Sequence, residues 1–390
     1  MSKYPFTKCV DIVGSAVKKF DGERKYVSTG ALDCDHIDFS QVENVTYDDK
    51  PSRANLTANT GDILFAKMQG TKKTIILNED TCQYVYSTGF CAIRPNENII
   101  SSRCLYHLVT SDFFLNQKDR YCSGATQKAI TNDGLKKITI SIPNIVNQDA
   151  IADCLDIIDF VILKCNQILN SLNQLVKSRF VEMFGDVVLN PYDWTYEPMG
   201  EYMTVLTDFS ANGSYEFLDS NVVMYDEPNY ALIVRTTDLE RNDFEINVKY
   251  IDEKAYNILS KSKLYGNEII MNKIGSAGKV YRMPCLNRPV SLGRNAFMFR
   301  FNDKINITFL YHLLTSEYGT KEIMQHVRGA VTKTITKEAA RSIRIIIPPI
   351  ELQEQFANFV EQTDKSKLAV KQVLEKAETL KKALMQEYFG

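Results

Sequence analysis

Several features that mark common protein classes are scarce or missing in this sequence. It contains no run of about 18 apolar residues that could cross a membrane, and its opening MSKYPFTKCV lacks the charged and apolar regions of a signal peptide. The nine cysteines are scattered without a Cys-x-x-Cys pair, and there are only four histidines. We therefore expect a cytoplasmic protein with reduced thiols and without membrane contact, disulfide framework, metal site or cofactor.

An excess of basic residues, which is typical of nucleic-acid-binding proteins, is also missing. The net charge at pH 7 is −2. A basic groove can coexist with an acidic surface elsewhere, so this charge argues only weakly against DNA binding. The length of 390 residues exceeds the usual size of one hydrophobic core, and two or more domains are expected.

An internal repeat divides the chain into two similar halves, 1–185 and 186–390. Residues 123–143 align without a gap with residues 328–348 and share nine identities at an offset of 205 residues. Tyr106-His107-Leu108 recurs as Tyr311-His312-Leu313, and Phe184-Gly185 recurs as Phe389-Gly390. GDILFAKMQGT (61–71) matches GNEIIMNKIGS (266–276) with one residue of slippage. Such agreement indicates a tandem duplication.

Each half ends in a segment whose apolar residues alternate in steps of three and four, as in a coiled coil. The first seam comprises Ile151, Cys154, Ile158, Val161, Cys165, Ile168, Leu172 and Leu175. The second comprises Phe356, Phe359, Thr363, Ser366, Val370, Val373, Ala377 and Leu380, and its Thr and Ser weaken it. Helices of about 35 residues are about 50 Å long. Ordinary core packing is the alternative, but two such helices are more simply paired as an antiparallel coiled coil.

The segments before the helices are short β-branched or aromatic runs between Gly, Asn, Asp and Ser clusters, which favours α+β domains. The predicted fold is a tandem duplication of an α/β domain followed by a long helix, with the two helices paired antiparallel about a pseudo-twofold axis. The predicted division is 1–145 and 186–349 for the domains, and 146–185 and 350–390 for the helices.

These features together resemble the specificity subunits of type I restriction-modification enzymes. SGATQKAI, an Ile-rich strand, a Pro and a Gln-containing long helix ending in Phe-Gly are similar to the end of each half of those proteins. TGALDCDHIDFS (29–40), GDILFAK (61–67) and STGFCAIRP (87–95) are similar to the earlier part of a target-recognition domain. The resemblance covers essentially the whole chain, including its twofold organisation.

The resemblance implies a non-catalytic DNA-reading subunit. Each target-recognition domain would read one half of a bipartite, asymmetric double-stranded DNA target. The paired helices would set the spacer between the halves and dock two methyltransferase subunits, and restriction subunits would join through that complex. Two readers on a rod of about 50 Å could reach major-groove faces one or more turns apart, each turn being about 34–36 Å.

The repeated loops supply candidate DNA contacts. Lys128 and Lys333 lie at equivalent positions in polar loops that a phosphate could approach, and Gln127 and Thr332 beside them could touch a base or sugar. Further loop or strand-end cations, which could bind guanine or phosphate, are Lys67, Lys72, Lys73 and Arg94 in the first half and Lys273, Lys279, Arg294 and Arg300 in the second. For each, a solvated surface charge is the alternative. Because 41–60 and 200–260 diverge between the halves, we expect them to choose the bases.

Two other classes of function stay open at this point. A coiled-coil adaptor of another defence or modification assembly would bind protein and show no salt-sensitive DNA affinity. A methyltransferase is disfavoured because Asn190-Pro191-Tyr192 lacks the second Pro of the adenine-methyltransferase motif and the chain has no Gly-rich cofactor loop. A nuclease built on Asp33, Asp35, Asp38 and Lys67 would need a metal site that the sequence does not assemble.

Overall fold

The computed structural model describes residues 2–390, which form two compact units. The first unit extends to residue 168 and also contains residues 370–390, and the second unit comprises residues 169–369. Each unit therefore contains one α+β domain and parts of both long helices.

Within residues 2–390, the first unit contains twelve strands and the second ten, and each of the ten has a counterpart in the first unit. The first contains β1 (Ser2–Pro5), β2 (Val10–Val13), β3 (Arg24–Val27), β4 (Leu32–Asp33), β5 (His36–Ile37), β6 (Glu43–Val45), β7 (Ala54–Leu56), β8 (Ile63–Ala66), β9 (Thr74–Ile76), β10 (Val85–Ser87), β11 (Phe90–Pro95) and β12 (Thr139–Ile142). The second contains β13 (Tyr196–Pro198), β14 (Met203–Asp208), β15 (Ala231–Val234), β16 (Lys249–Ile251), β17 (Lys263–Leu264), β18 (Ile269–Asn272), β19 (Val280–Arg282), β20 (Val290–Leu292), β21 (Ala296–Phe301) and β22 (Arg344–Ile346).

The same sheet topology occurs in both units. Sheets of order β6-β3-β10-β7, β2-β11-β8-β9 and β1-β12 in the first correspond to β16-β15-β20-β17, β14-β21-β18-β19 and β13-β22 in the second. One parallel pair, β3 with β10 or β15 with β20, lies among antiparallel neighbours in each unit. The repeat in the sequence is thus a duplication of the fold, and the predicted α+β class is confirmed.

The helices are α1 (Phe6–Cys9), α2 (Ser102–Thr110), α3 (Asp112–Arg120), α4 (Asn132–Leu135), α5 (Ile145–Phe184), α6 (Tyr215–Asn221), α7 (Thr236–Arg241), α8 (Glu253–Ile258), α9 (Ile307–Thr315), α10 (Glu317–His326), α11 (Lys337–Arg341) and α12 (Ile350–Phe389). Helices α2 to α5 of the first half recur as α9 to α12, whereas α6, α7 and α8 occur, within the described residues, only in the second unit. Short 3-10 helices occupy Phe39–Gln41, Thr81–Gln83, Met199–Tyr202, Phe209–Asn212 and Ser260–Ser262. The long helices α5 and α12 have 40 residues each.

A buried glutamine fixes the start of each long helix. The Gln148 side-chain amide donates to the carbonyl oxygens of Ile99 (2.8 Å) and Pro143 (3.1 Å), and its oxygen accepts from the Ser101 amide at 2.7 Å. Gln353 makes the same three kinds of bond in the second unit. Because every polar atom of these amides has a partner, their complete burial is tolerated.

Strand β8 is apolar on both faces because two cores meet on it. Ile63 and Phe65 belong to the core that contains α2 and α3, whereas Leu64 and Ala66 belong to the core beneath β10. Successive side chains of a strand point to opposite faces, so a strand between two cores has no polar positions. Strand β18 is in the same situation, with Ile269 on one side and Ile270 on the other.

The long helices pack against each other in antiparallel directions within each unit, as predicted. In the first unit, Asp159 of α5 pairs with Lys381 of α12, and Ile151 shares a core with Phe389. Later residues of α5 therefore meet earlier residues of α12. In the second unit, the rings of Phe180 and Phe356 lie 5.4 Å apart.

Six of the sixteen predicted seam positions are displaced by one residue. The exposed members are Cys154, Ile168 (45%), Leu175 (48%), Ser366, Val373 (49%) and Leu380 (50%), whereas Ile151, Ile158, Cys165, Phe356 and Thr363 are buried and Val161, Leu172, Phe359, Val370 and Ala377 are partly buried. After each exposed member the next residue is the less exposed one, namely Leu155, Leu169, Val176, Lys367, Leu374 and Lys381. Ile168-Leu169 and Leu175-Val176 are apolar pairs, so apolar spacing alone fits either choice.

The end of each long helix completes the core of the domain encoded by the other repeat. Phe184 of the first repeat is fully buried in the second unit, where its ring lies 4.7 Å from Phe309 and 5.6 Å from Phe356. Phe389 of the second repeat is fully buried in the core of the first unit beside Leu155. The repeated Phe-Gly ending is therefore a packing element.

Candidate nucleic-acid interface

Two loops of the first unit lie side by side and bring several predicted DNA contacts together. The hairpin loop 67–73 joins β8 to β9, and the loop 123–130 precedes α4. The Gln69 amide donates to the Lys128 carbonyl (3.0 Å), and the Ile130 amide donates to the Lys67 carbonyl (2.9 Å). The Gln127 side-chain nitrogen lies 3.0 Å from the Met68 sulfur. We call these two loops the first loop pair.

The second unit repeats this arrangement in residues 273–279 and 328–335, the second loop pair. The Gly275 amide donates to the Lys333 carbonyl at 3.0 Å, and the Ile335 amide donates to the Lys273 carbonyl at 3.1 Å. Both loop pairs thus use the same two backbone bonds at equivalent positions. Lys128 and Lys333 are exposed residues of the two loop pairs. The neighbouring Gln127 and Thr332 are exposed as well.

A glycine is required in each of these loops. Gly124 and Gly329 have φ values of +134° and +102°. A Cβ at these positions would lie 2.6 Å from the Gln127 carbonyl oxygen or 2.2 Å from the Thr332 carbonyl oxygen. Only glycine therefore fits the exposed turn at the repeated Gly-Ala of each loop. Thr131 and Thr336, which follow, accept from the Gly134 and Ala339 amides and cap short helices.

The predicted lysines differ in how far their charge is compensated. Lys72 is paired with Asp112 at 2.6 Å, and the Lys73 ammonium donates to the Thr29 carbonyl at 2.8 Å. Lys279 is paired with Glu240 at 2.9 Å, and this hydrogen bond raises the pKa of Lys279. Among residues 2–390, no carboxylate pairs with Lys128 or Lys333.

Lys273 is held inside the second unit by a carboxylate that the sequence did not indicate. Its ammonium lies 2.5 Å from Asp208, which also accepts from Lys337 at 3.1 Å. Burial alone would raise the pKa of Asp208, but the hydrogen bonds from Lys273 and Lys337 outweigh burial, and the pKa lies below its ordinary value. Lys337 was not among the predicted contacts, although it lies just after the loop 328–335.

Arg94 and Arg300 lie away from the loop pairs and have structural partners. Arg94 binds both oxygens of buried Asp62 at 2.7 and 3.1 Å. Arg300, at the equivalent strand position, binds buried Glu268 at 3.0 Å. Each carboxylate also accepts from backbone amides of the turn before β8 or β18. These contacts favour a role in holding the sheet.

Arg294, which lies just before β21, contacts aromatic residues of the divergent segment 200–260. Its guanidinium lies 5.0 Å from the ring centre of Tyr215 and 5.2 Å from that of Phe209, and it also pairs with Asp219. Tyr215 is 71% exposed. A planar guanidinium next to an exposed aromatic ring is suited to contact with nucleic-acid bases.

The described part of the chain contains neither a cluster of metal ligands nor a helix that could span a membrane. No group of three or more His, Cys, Asp or Glu side chains within residues 2–390 could hold a metal ion. None of the helices in this range is both long and apolar enough to span a membrane. Asn190, at φ +46°, lies in the turn after α5, where its side chain bonds to the Trp194 backbone.

Comparison with known proteins connects this doubled fold to a family. The model of the type I restriction modification DNA specificity domain matches residues 11–177 and again 200–379. The chain belongs to this family. The two matches fall on the two repeats, and specificity subunits are a non-catalytic class.

Curated relatives of this chain are named type I restriction enzyme specificity subunits. The chain is 24% identical over 360 residues to the type I restriction enzyme MjaVIII specificity subunit of Methanocaldococcus jannaschii, covering 86% of this chain and 80% of the relative. A putative MjaX specificity subunit from the same organism is 24% identical, with 83% and 76% covered. The HindI specificity subunit of Haemophilus influenzae is 27% identical over 168 residues, which span 41% of this chain and 35% of that protein.

Solved structures share the fold of this chain. A type I restriction-modification S subunit from M. genitalium matches with a TM-score of 0.58 at 15% identity, covering 100% of this chain and 96% of the other. A chain from work on complex assembly and conformational transition of the type I R-M system also gives 0.58, at 17% identity, with 99% and 97% covered.

Proposed function

We propose that the protein reads a split, asymmetric double-stranded DNA target, with one half-site bound by each loop pair. The observation that carries this proposal is the repetition of the two backbone-linked loops, each presenting an exposed lysine without a carboxylate partner. Phosphate contact positions a protein on DNA without specifying sequence. A feature shared by both units suits that task, and Lys128 and Lys333 would perform it.

Base reading would fall to the segments that differ between the halves. In the second half, Tyr215 lies on such a segment and is in contact with Arg294, which lies just before β21. Arginine can bind guanine through two hydrogen bonds, and aromatic rings contact bases or their methyl groups. Because the divergent segments 41–60 and 200–260 differ in sequence, the two half-sites would differ as well.

The paired helices would set the spacer and dock two methyltransferase subunits, with restriction subunits joining through that cytoplasmic assembly. The antiparallel contacts between α5 and α12 within each unit support the pairing of these helices. The family and the curated relatives support a place in a type I restriction-modification complex, whose methylation and cleavage would be carried out by the other subunits.

Reconstitution tests this proposal. The purified chain is mixed with the methyltransferase subunit of its host, and the mass of the complex is measured together with methylation of a randomised DNA library. We expect two methyltransferase copies per chain and methylated adenines in a sequence with two defined parts and an undefined spacer. Methylation of one continuous sequence would contradict the proposal. DNA affinity that is insensitive to salt would instead favour a protein-binding adaptor.

A further inference from the structure

A lysine is buried beneath the first loop pair. Lys118 lies on α3, its side chain is 0% exposed, and its ammonium faces the inner side of the hairpin loop 67–73. The ammonium donates to the carbonyls of Thr71 (2.9 Å) and Met68 (3.0 Å), and the Ala66 carbonyl lies at 3.5 Å. Two carbonyls of the loop and one at the end of β8 thus converge on one cation.

The next residue holds the same loop through its amide. One oxygen of Asp119 accepts from the Gly70 amide at 3.0 Å, and the other lies 3.3 Å from the Lys118 ammonium. A buried charge is unfavourable unless it is paired and hydrogen-bonded, and here the loop and Asp119 satisfy both conditions. The loop and the buried pair therefore depend on each other.

The second unit holds its equivalent hairpin without a charge. Ile323 occupies the position of Lys118, is 2% exposed, and belongs to the core of that unit. A Cβ added to Gly278 would lie 2.6 Å from a methyl of Ile323, so the loop packs closely on this side chain. The two loop pairs therefore have the same two backbone hydrogen bonds, but the hairpin is supported by Lys118 in the first unit and by Ile323 in the second.

We propose that Lys118 is a positioning residue that fixes the first loop pair for recognition of one half-site. The inference rests on the proposed function. Because the Lys67 and Lys128 backbones are bonded to neighbouring residues of the two loops, a hairpin released from Lys118 also releases the loop 123–130. The second half-site, supported through Ile323, is read independently of this contact.

We call the contact of Lys118 with the loop 67–73 the clamp, and hydrogen exchange of the free full-length chain tests it. In Lys118→Met, amides of residues 68–72 should exchange about tenfold faster or more, because hydrogen bonds to a charged group are lost. Amides of 275–279 should keep their rates. The matched control is Lys321→Met, an exposed lysine of the equivalent helix α10 that pairs with Glu317. Unchanged exchange at 68–72 in a folded Lys118→Met protein overturns the proposal.

Selection from a randomised duplex library tests the effect on recognition. With its methyltransferase subunits bound, Lys118→Met should lose sequence preference in one half-site and bind the wild-type target about tenfold more weakly. The other half-site should be selected as before. Lys118→Gln, which keeps a neutral donor, should give a smaller loss and provides a second variant if the methionine protein does not fold.

The outcomes separate the clamp from the proposed function. If Lys118→Met loses sequence preference equally in both half-sites, or in neither, the proposed role of Lys118 is overturned. The proposed DNA recognition by the unaltered protein is not affected by that result. If the unaltered complex selects no split sequence, the proposed function fails, and the exchange measurement still decides whether Lys118 holds the loop.

Discussion

Lysine side chains serve two purposes in this molecule, and their surroundings decide which. Lys128 and Lys333 are exposed at the ends of the loop pairs, where an ammonium can meet a phosphate. Lys118 and Lys273 are turned inward, where backbone carbonyls or Asp208 compensate the charge. The sequence indicated Lys128, Lys333 and Lys273 as loop or strand-end cations, and it did not single out Lys118. The pattern on α3 held one further signal, because Lys118 follows buried Phe114 by four residues and so lies on the apolar face of that helix.

Replacement of the exposed loop lysines should weaken DNA binding without changing the sequence that is read. We expect Lys128→Ala and Lys333→Ala each to reduce the slope of log affinity against log salt by about 0.9, the value for one phosphate contact. The measurement is a salt titration of binding to the selected target. Lys321→Ala serves as the control, and equal slopes for all three variants would show that neither loop lysine touches a phosphate.

His312 should make stability depend on pH. Burial lowers the pKa of His312 to about 4, although Asp364 opposes the shift. Below the ordinary pKa of about 6.5 the unfolded chain takes up a proton that the folded chain refuses, so stability falls as pH drops from there towards 4.

The expected loss is at most about 1.4 kcal/mol per pH unit from this group. His312→Gln should flatten this part of the curve, measured by denaturant unfolding at several pH values. The exposed His36 replaced in the same way is the control. An identical pH dependence in wild type and His312→Gln would refute the assignment.

At the scale of elements, the sequence predicted the long helices and their antiparallel pairing but placed six of the sixteen seam positions one residue too early. Where two adjacent residues are both apolar, as in Ile168-Leu169, helical spacing gives two nearly equal solutions. The partner helix decides between them, and its contribution is a tertiary contact that one segment does not encode. Short strands and the loop pairs were likewise indicated only as turn-rich regions, because their pairing is long-range.

Two leucines of α5 test the observed seam. Leu155 is fully buried, whereas Leu175 is 48% exposed. Leu155→Ala should reduce the free energy of unfolding by about 2–5 kcal/mol, because it leaves a cavity. Leu175→Ala should change it by less than about 0.5 kcal/mol. Chemical denaturation of the full-length variants measures both, and a larger cost at Leu175 would restore the seam predicted from sequence.

At the scale of the whole molecule, each repeat contributes its terminal phenylalanine to the hydrophobic core of the other repeat's domain. Phe184 and Phe389 come from the two Phe-Gly endings and are fully buried among residues of the opposite half. The sequence showed that the endings match but not where they pack. Their burial explains why a short motif at the end of a helix recurs unchanged.

Removal of one terminal ring should therefore weaken a distant part of the chain. Phe389→Ala is expected to cost about 3–5 kcal/mol, because a large buried ring is deleted. Hydrogen exchange should accelerate in residues 100–142 of the first unit and stay unchanged in residues 296–346 of the second. Phe184→Ala should give the reverse distribution. Acceleration confined to the last turns of α12 would mean that Phe389 does not support the first domain.

The clamp beneath the first hairpin also constrains how such a chain can exchange parts with its relatives. Lys118 and the loop 67–73 are far apart in sequence but form one contact. A recombination joint placed between them could combine a hairpin shaped for a cation with an apolar helix, or an ammonium with a loop that offers it no carbonyls. Functional hybrids should therefore inherit residues 67–118 as a single block.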